Sequence, residues 1–354
     1  MRRKIDDRRA WAVPFGLAGL FLAAAPSAQA LNIVTSFGAS VRSLAQAATI
    51  EAAFNAVAAD FDQAFASPTT VYINVSWGSV AGQPLPANAL GASATSLYGY
   101  YSYAQVIGAL RSQSLANPAD TALATALRSM SATTPSGVSQ YAVPSAEAKA
   151  IGLIPAAQSG ADGAIGFAGN PSGYTFSLTG AVSPATYDFS AVAAHEIEEV
   201  LGRVTGLAAP GAPTYRTVFD LFRYSSPGVL NDSYTTFAYF SVDGGKTNLG
   251  NFNNSSSGGD RSDWQTLTTS TDIQDAFASK GQRLNLTAAD LTALDVLGYG
   301  GANLGDTAIS KPTTVALTLD AAPEPAAWAT MLLGLGLAGA ALRRRRRSGA
   351  RAAA

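Results

Sequence analysis

The stretch Ala193-Ala194-His195-Glu196-Ile197-Glu198-Glu199-Val200-Leu201-Gly202-Arg203 contains the only histidine of the chain. Residues four apart on a helix project from one face, so His195 and Glu199 are placed to grip one ion. Glu196, one step round the helix, stands where a general base would act on a water polarised by that ion. Apolar Val192, Ala193, Ile197, Val200 and Leu201 mark the buried side, Asp188 or Ser190 is a candidate N-cap, and Gly202 ends the run. The spacing predicts a helix over roughly Asp188 to Gly202. Glu196, Glu198, Glu199 and Arg203 would also make an ordinary charged face, with Glu199 and Arg203 as an i,i+4 pair. Three carboxylates beside the sole imidazole, in a helix otherwise small and apolar, favour the metal reading.

The flanking sequence gives the frame. Ala48, Ile50, Ala53, Phe54, Val57, Phe61 and Phe65 share a stripe within a helix expected over Ala45 to Ala66. Thr70 to Gly78 alternates as a strand. Helices are expected over Tyr98 to Ala116, Ala119 to Met130 and Ser145 to Gly152. Asp162 to Phe167 and Tyr174 to Ser177 are expected to form two short strands, as a hairpin along the sheet edge. Thr205 to Asp272 is loop-rich, with denser islands at Thr217 to Tyr224 and Phe237 to Val242. A capped helix from Leu286 closes at Gly298-Tyr299. The class is α/β (α+β), with a mixed sheet, a helix carrying the site and a final helix.

The two ends state where the protein works. Arg2, Arg3, Lys4, Arg8 and Arg9 precede a mostly apolar run, Trp11 to Ala25, and Ala28-Gln29-Ala30 supplies a small-x-small cleavage pattern. That is a signal peptide over residues 1–30, removed by signal peptidase. Pro323-Glu324-Pro325, the apolar stretch Ala326 to Leu342 and Arg343 to Arg347 follow one another at the C-terminus. The apolar stretch can just span a bilayer, and the arginines hold its end in the cytoplasm. The expected division is a domain over 31–302, a low-charge linker over 303–322, a sorting segment over 323–347 and a short tail over 348–354. Between Leu31 and Ala322 there are 12 Lys and Arg against 21 Asp and Glu, about −9, which argues against a nucleic-acid partner. Without cysteine there is no disulfide, thiolate metal site or cysteine nucleophile.

The order Pro-Glu-Pro, apolar helix, arginine cluster resembles the PEP-CTERM sorting tail. That resemblance implies an exosortase-type partner, transient anchoring in the inner membrane by the C-terminal helix, and delivery to the cell surface or matrix of a Gram-negative bacterium. The central helix resembles the zincin metalloproteases, and within them the metzincin pattern His-Glu-x-x-His-x-x-Gly-x-x-His. His195 matches the first ligand, Glu196 the base and Gly202 the turn glycine; Glu199 and Thr205 stand where the second and third histidines belong. This His-Glu-x-x-Glu-x-x-Gly-Arg form is similar to metalloproteases that carry PEP-CTERM tails. The resemblance implies an exported endopeptidase acting on protein or peptide with a zinc cofactor. The alternative is a non-catalytic surface or matrix protein on a zincin-like scaffold with a degenerate metal site.

Carboxylate ligands are compatible with zinc and widen the choice toward manganese or iron. The third ligand is not fixed by spacing. Asp220, a carboxylate inside the apolar island Val218 to Tyr224, is the first candidate, against pairing with Arg223 or Arg203; Asp243, Asp260 and Asp263 are the alternatives. Tyr224 is a candidate for stabilising a developing oxyanion, against a plain packing role. Ser241 to Gly245 and Gly258 to Trp264 offer oxygen donors for calcium, against ordinary Asp-Gly turns.

Overall fold

The computed structural model describes residues 30–300, apart from 86–87, 119, 136, 209–214 and 257. The signal peptide, the linker and the sorting segment lie outside the described residues. Among the described residues, no helix is long and apolar enough to cross a membrane.

A four-stranded mixed sheet carries the molecule. In chain order, β1 (Asn32–Phe37) leads through α1 (Ala47–Ala64) to β2 (Thr70–Trp77), and β3 (Gly91–Thr95) and β4 (Gly163–Phe167) complete it. The strands lie in the order β1-β2-β4-β3; the first three are parallel and β3 runs antiparallel to β4 at the edge. The β1-α1-β2 crossover buries Ile50, Phe54, Val57 and Phe61 of α1 against the sheet, with Val71, Ile73 and Val75 of β2 in the core.

The expected helix over the His-Glu segment is α2 (Phe189–Leu201). Asp188 caps it, accepting a hydrogen bond from the Ser190 amide at 3.1 Å. Gly202 terminates it at φ 120°, a conformation that disfavours any residue with a Cβ. Phe189 anchors its first turn, with its ring 4.7 Å from Phe167 and 4.8 Å from Phe176. The helix lies over β3 and β4 and against α1. Gly163 permits that approach, since a Cβ there would stand 2.6 Å from Val200 Cγ2.

Three local expectations are corrected. Leu97–Tyr101 is a strand, in a three-stranded sheet with Tyr141–Pro144 and Arg216–Thr217, and the following helix begins at Tyr103 after a Ser102–Gln105 capping box. Its Leu-Tyr-Gly-Tyr-Tyr composition suits a strand better than a helix. Gly163–Phe167 is no edge hairpin but the strand between β2 and β3. Tyr174–Thr175 pairs in parallel with Tyr187–Asp188, away from the main sheet. The loop-rich section holds a small antiparallel sheet of Arg223–Ser226, Val229–Leu230, Tyr239–Phe240 and Gly250–Asn251. The last helix, α3 (Ala288–Leu294), has a Thr287–Asp290 capping box and continues into a wider turn over Asp295–Tyr299.

Candidate metal centre

All four polar side chains of the His-Glu-x-Glu-Glu run are buried: His195 is 6 % exposed, Glu196 1 %, Glu198 0 % and Glu199 2 %. Donor atoms of His195, Glu196 and Glu199 lie within 4.8 Å of one another. Nε2 of His195 stands 3.9 Å from Oε1 of Glu199. The other ring nitrogen, Nδ1, is 2.9 Å from the Ile273 carbonyl oxygen. A carbonyl can only accept, so Nδ1 carries a proton and Nε2 is the ring nitrogen turned toward the carboxylates. The second oxygen of Glu199 accepts from Ser93 Oγ at 2.9 Å, and its backbone carbonyl accepts from Thr95 Oγ1 at 2.9 Å. Edge strand β3 thus orients one of the carboxylates. It also makes space for Glu196, because a Cβ at Gly91 would lie 2.6 Å from Oε1 of Glu196.

A second arm reaches the site from the loop Gly258 to Trp264. Glu199, Asp260 and Asp263 form another group with donor atoms within 4.8 Å. Asp263 is fully buried, and its Oδ1 lies 3.7 Å from His195 Nε2 while accepting no hydrogen bond. Its Oδ2 accepts from the Asp260 amide at 3.1 Å. Burial pushes the Asp263 carboxyl up to about 6, opposed by the nearby imidazole. The loop is braced from several sides. Asn253 Nδ2 donates to the carbonyls of Gly258 and Asp260, Arg261 donates to the Asn253 carbonyl, and the buried Arg223 donates to the Arg261 carbonyl. Gly259, at φ 74°, lies where a Cβ would meet Asn253 Nδ2 at 2.6 Å.

Asp220, the first candidate for the third ligand, is not brought to this site. Its carboxylate accepts from Thr205 Oγ1 at 2.5 Å, the Gly206 amide at 3.2 Å, the Thr217 amide at 2.9 Å and Thr217 Oγ1 at 3.1 Å. These donors reach both carboxylate oxygens and close the loop between α2 and the apolar island, and the buried Arg223 guanidinium adds an opposite charge nearby. Tyr224 lies on the strand Arg223–Ser226, against Gly245 and near Ser129 and Asp243, and burial raises its hydroxyl to about 12. Those contacts place it in the small sheet as a packing residue. Asp243 accepts from Ser241 Oγ at 2.8 Å and from Thr247 at 2.8 and 2.7 Å, the pattern of a self-contained turn rather than a calcium loop.

Sequence reasoning missed the backing of the site. Arg203, completely buried, stacks over Trp264 at 4.3 Å and over Phe219 at 5.4 Å, with Nε 3.5 Å from Glu198 Oε2. It donates to Gln274 Oε1, and Gln274 Nε2 donates in turn to the His195 carbonyl at 3.1 Å. The segment 273–274 therefore clamps His195 at both its ring and its backbone. The only signal in the sequence was Arg203 itself, a cation following directly on the terminating glycine.

The donor chemistry suits a divalent cation. One imidazole nitrogen and several carboxylate oxygens converge in a buried space, and an oxygen there lacks a hydrogen bond. Comparison with protein families matches residues 321–347 to the PEP-CTERM protein-sorting motif. No curated protein and no solved structure matches the chain. The motif implies export, surface sorting in a Gram-negative bacterium and recognition by an exosortase-type enzyme.

Proposed function

We propose that the domain over 31–302 is a zincin-like, metal-dependent endopeptidase that acts on protein at the cell surface or in the extracellular matrix. The observation that carries this reading is the convergence of His195, Glu196 and Glu199 donor atoms within 4.8 Å, on one helix beside an antiparallel edge strand. A zinc ion held by His195 and Glu199 would polarise the scissile carbonyl and make water a better nucleophile. Glu196 accepts a proton from the attacking water as its oxygen bonds to the carbonyl carbon. When the C–N bond breaks, Glu196 returns that proton to the leaving amine nitrogen. Strand β3 lies at the edge of the sheet, with Gly91 and Ser93 buried there. The neighbouring bonds Ala168 N–H to the Leu90 carbonyl and Ser96 N–H to the Asp162 carbonyl give even-numbered residues to β4, which turns the backbone groups of Gly91, Ser93 and Thr95 outward.

A second reading draws support from burial. Glu196 is 1 % exposed, and a base so enclosed fits a scaffold with an inert site as well as an enzyme closed over it. The variant Glu196→Gln separates the two. For the enzyme, casein cleavage falls by about 10²- to 10⁴-fold while bound metal is retained. Unchanged cleavage in that variant, or no cleavage by the metal-loaded wild-type chain, would rule the peptidase out.

A further inference from the structure

We propose that the loop Gly258 to Trp264 completes the cation site, with Asp263 as a direct ligand beside His195 and Glu199 and with Asp260 on its flank. The centre then holds a divalent cation through one imidazole and two or three carboxylates, and the loop takes the place of the histidines missing from the helix motif. This assignment rests on the metal-binding half of the reading above and is independent of whether the site is catalytic.

Geometry leads to it. Donors each about 2.0–2.2 Å from one tetrahedral zinc ion stand roughly 3.3–3.6 Å apart. His195 Nε2 is 3.7 Å from Asp263 Oδ1 and 3.9 Å from Glu199 Oε1, each within a few tenths of an ångström of that separation, and Glu199 and Asp263 share a group of donor atoms within 4.8 Å of one another. Saturation separates the candidates. Asp220 has both carboxylate oxygens met by four donors, and Asp243 accepts three bonds within its own turn. Asp263 is fully buried, yet its Oδ1, aimed at the imidazole, accepts none. A carboxylate oxygen left so in the interior is costly unless a cation meets it. The buried guanidinium of Arg203 adds some positive field at Asp263, but its printed contacts are with Glu198 and Gln274, so it gives that oxygen no hydrogen bond. The bracing of the loop by Asn253, Arg261 and Arg223 holds Asp263 in place without using that oxygen.

The test uses the full chain, stripped of metal and titrated with Zn2+ alone. Wild type should bind one ion per chain. Asp263→Asn, which keeps the shape and removes the charge, should weaken binding by about 100-fold or more, above the 10- to 100-fold typical of outer-shell changes. Asp220→Asn should bind as wild type does. Circular dichroism reports folding separately. Crystals of the Zn2+-loaded wild-type chain, with anomalous scattering at the zinc edge, give an answer even if the variant fails to fold. An anomalous peak bonded to the Asp263 carboxylate supports the assignment. A peak at His195 and Glu199 without Asp263, or wild-type affinity in folded Asp263→Asn, overturns it while leaving the peptidase reading intact. Stoichiometric binding through Asp263 with no casein cleavage defeats the peptidase reading and leaves the ligand assignment standing.

Discussion

Gly91 shows how much a missing side chain can decide. Its backbone is in an ordinary extended conformation, so the reason for glycine is steric: a methyl group would stand 2.6 Å from Glu196 Oε1 and 2.7 Å from Val192 Cγ1. Gly91→Ala should cost about 1–3 kcal/mol of stability, as overpacked interiors do. It should also push Glu196 out of position while leaving His195, Glu199 and bound Zn2+ in place. Thermal unfolding, zinc content and casein cleavage measured on the same preparation check the three parts; full cleavage by Gly91→Ala would show that Glu196 does not depend on this space. Asp220 and Asp263 make the complementary point. Both are buried aspartates, and the apolar island around Asp220 put it first in the sequence. Local donors saturate the first, whereas the second is left with an oxygen facing His195.

Among the elements, α2 and the segment 272–275 form one unit. Arg203, just past the helix end, is sandwiched by Trp264 and Phe219 and connects through Gln274 to the His195 carbonyl. Arg203→Ala should cost about 3–5 kcal/mol, because it strands the buried Glu198 carboxylate. Arg203→Met fills more of the space without the hydrogen bond to Gln274. Urea unfolding of both variants at one pH measures the loss, and a change below about 1 kcal/mol would mean the stacked guanidinium contributes little. The same region sets a pH dependence. Burial lifts Asp275 from the usual 3.8 to about 7 and raises Asp272, beside Asp290, further still. The folded protein therefore holds protons on these groups that the unfolded chain has released. From about pH 4 up to pH 7 for Asp275, and beyond it for Asp272, stability falls as pH rises, by at most about 1.4 kcal/mol per pH unit for each proton. Metal-free protein should melt at a higher temperature at pH 6 than at pH 8; the reverse order would show that these carboxyls are ionised in the fold.

At the scale of the whole molecule, the chain is a domain between two addresses. The motif matched over 321–347 marks the chain for surface sorting, and the Ala28-Gln29-Ala30 pattern is the expected cleavage point of a leader. Mass spectrometry of surface material from a host with the sorting machinery should find chains beginning near Leu31 and ending near Pro323-Glu324-Pro325. Intact chains carrying Arg343 to Arg347 would count against processing. The sorting tail was legible in the sequence because it is a linear code of charge and hydropathy that a partner meets as an extended or helical segment. Helix α2 was legible for a similar reason: four-residue spacing, an Asp cap and a terminating glycine are local, and local rules set them. Strand β2 and the amphipathic α1 followed from periodicity alone, whereas β1 and its parallel pairing with β2 emerge only in the fold. The central place of β4 was not legible, since glycine-rich Gly163–Phe167 owes its position to the close approach of Val200 and Ser79 from other elements. Nor was the partner of His195. Asp263 lies 68 residues further along the chain, as the numbering itself gives, and no spacing rule connects a helix to a distant loop. Only the folded chain, by stacking Trp264 on Arg203 and clamping segment 273–274 to His195, places that carboxylate beside the imidazole.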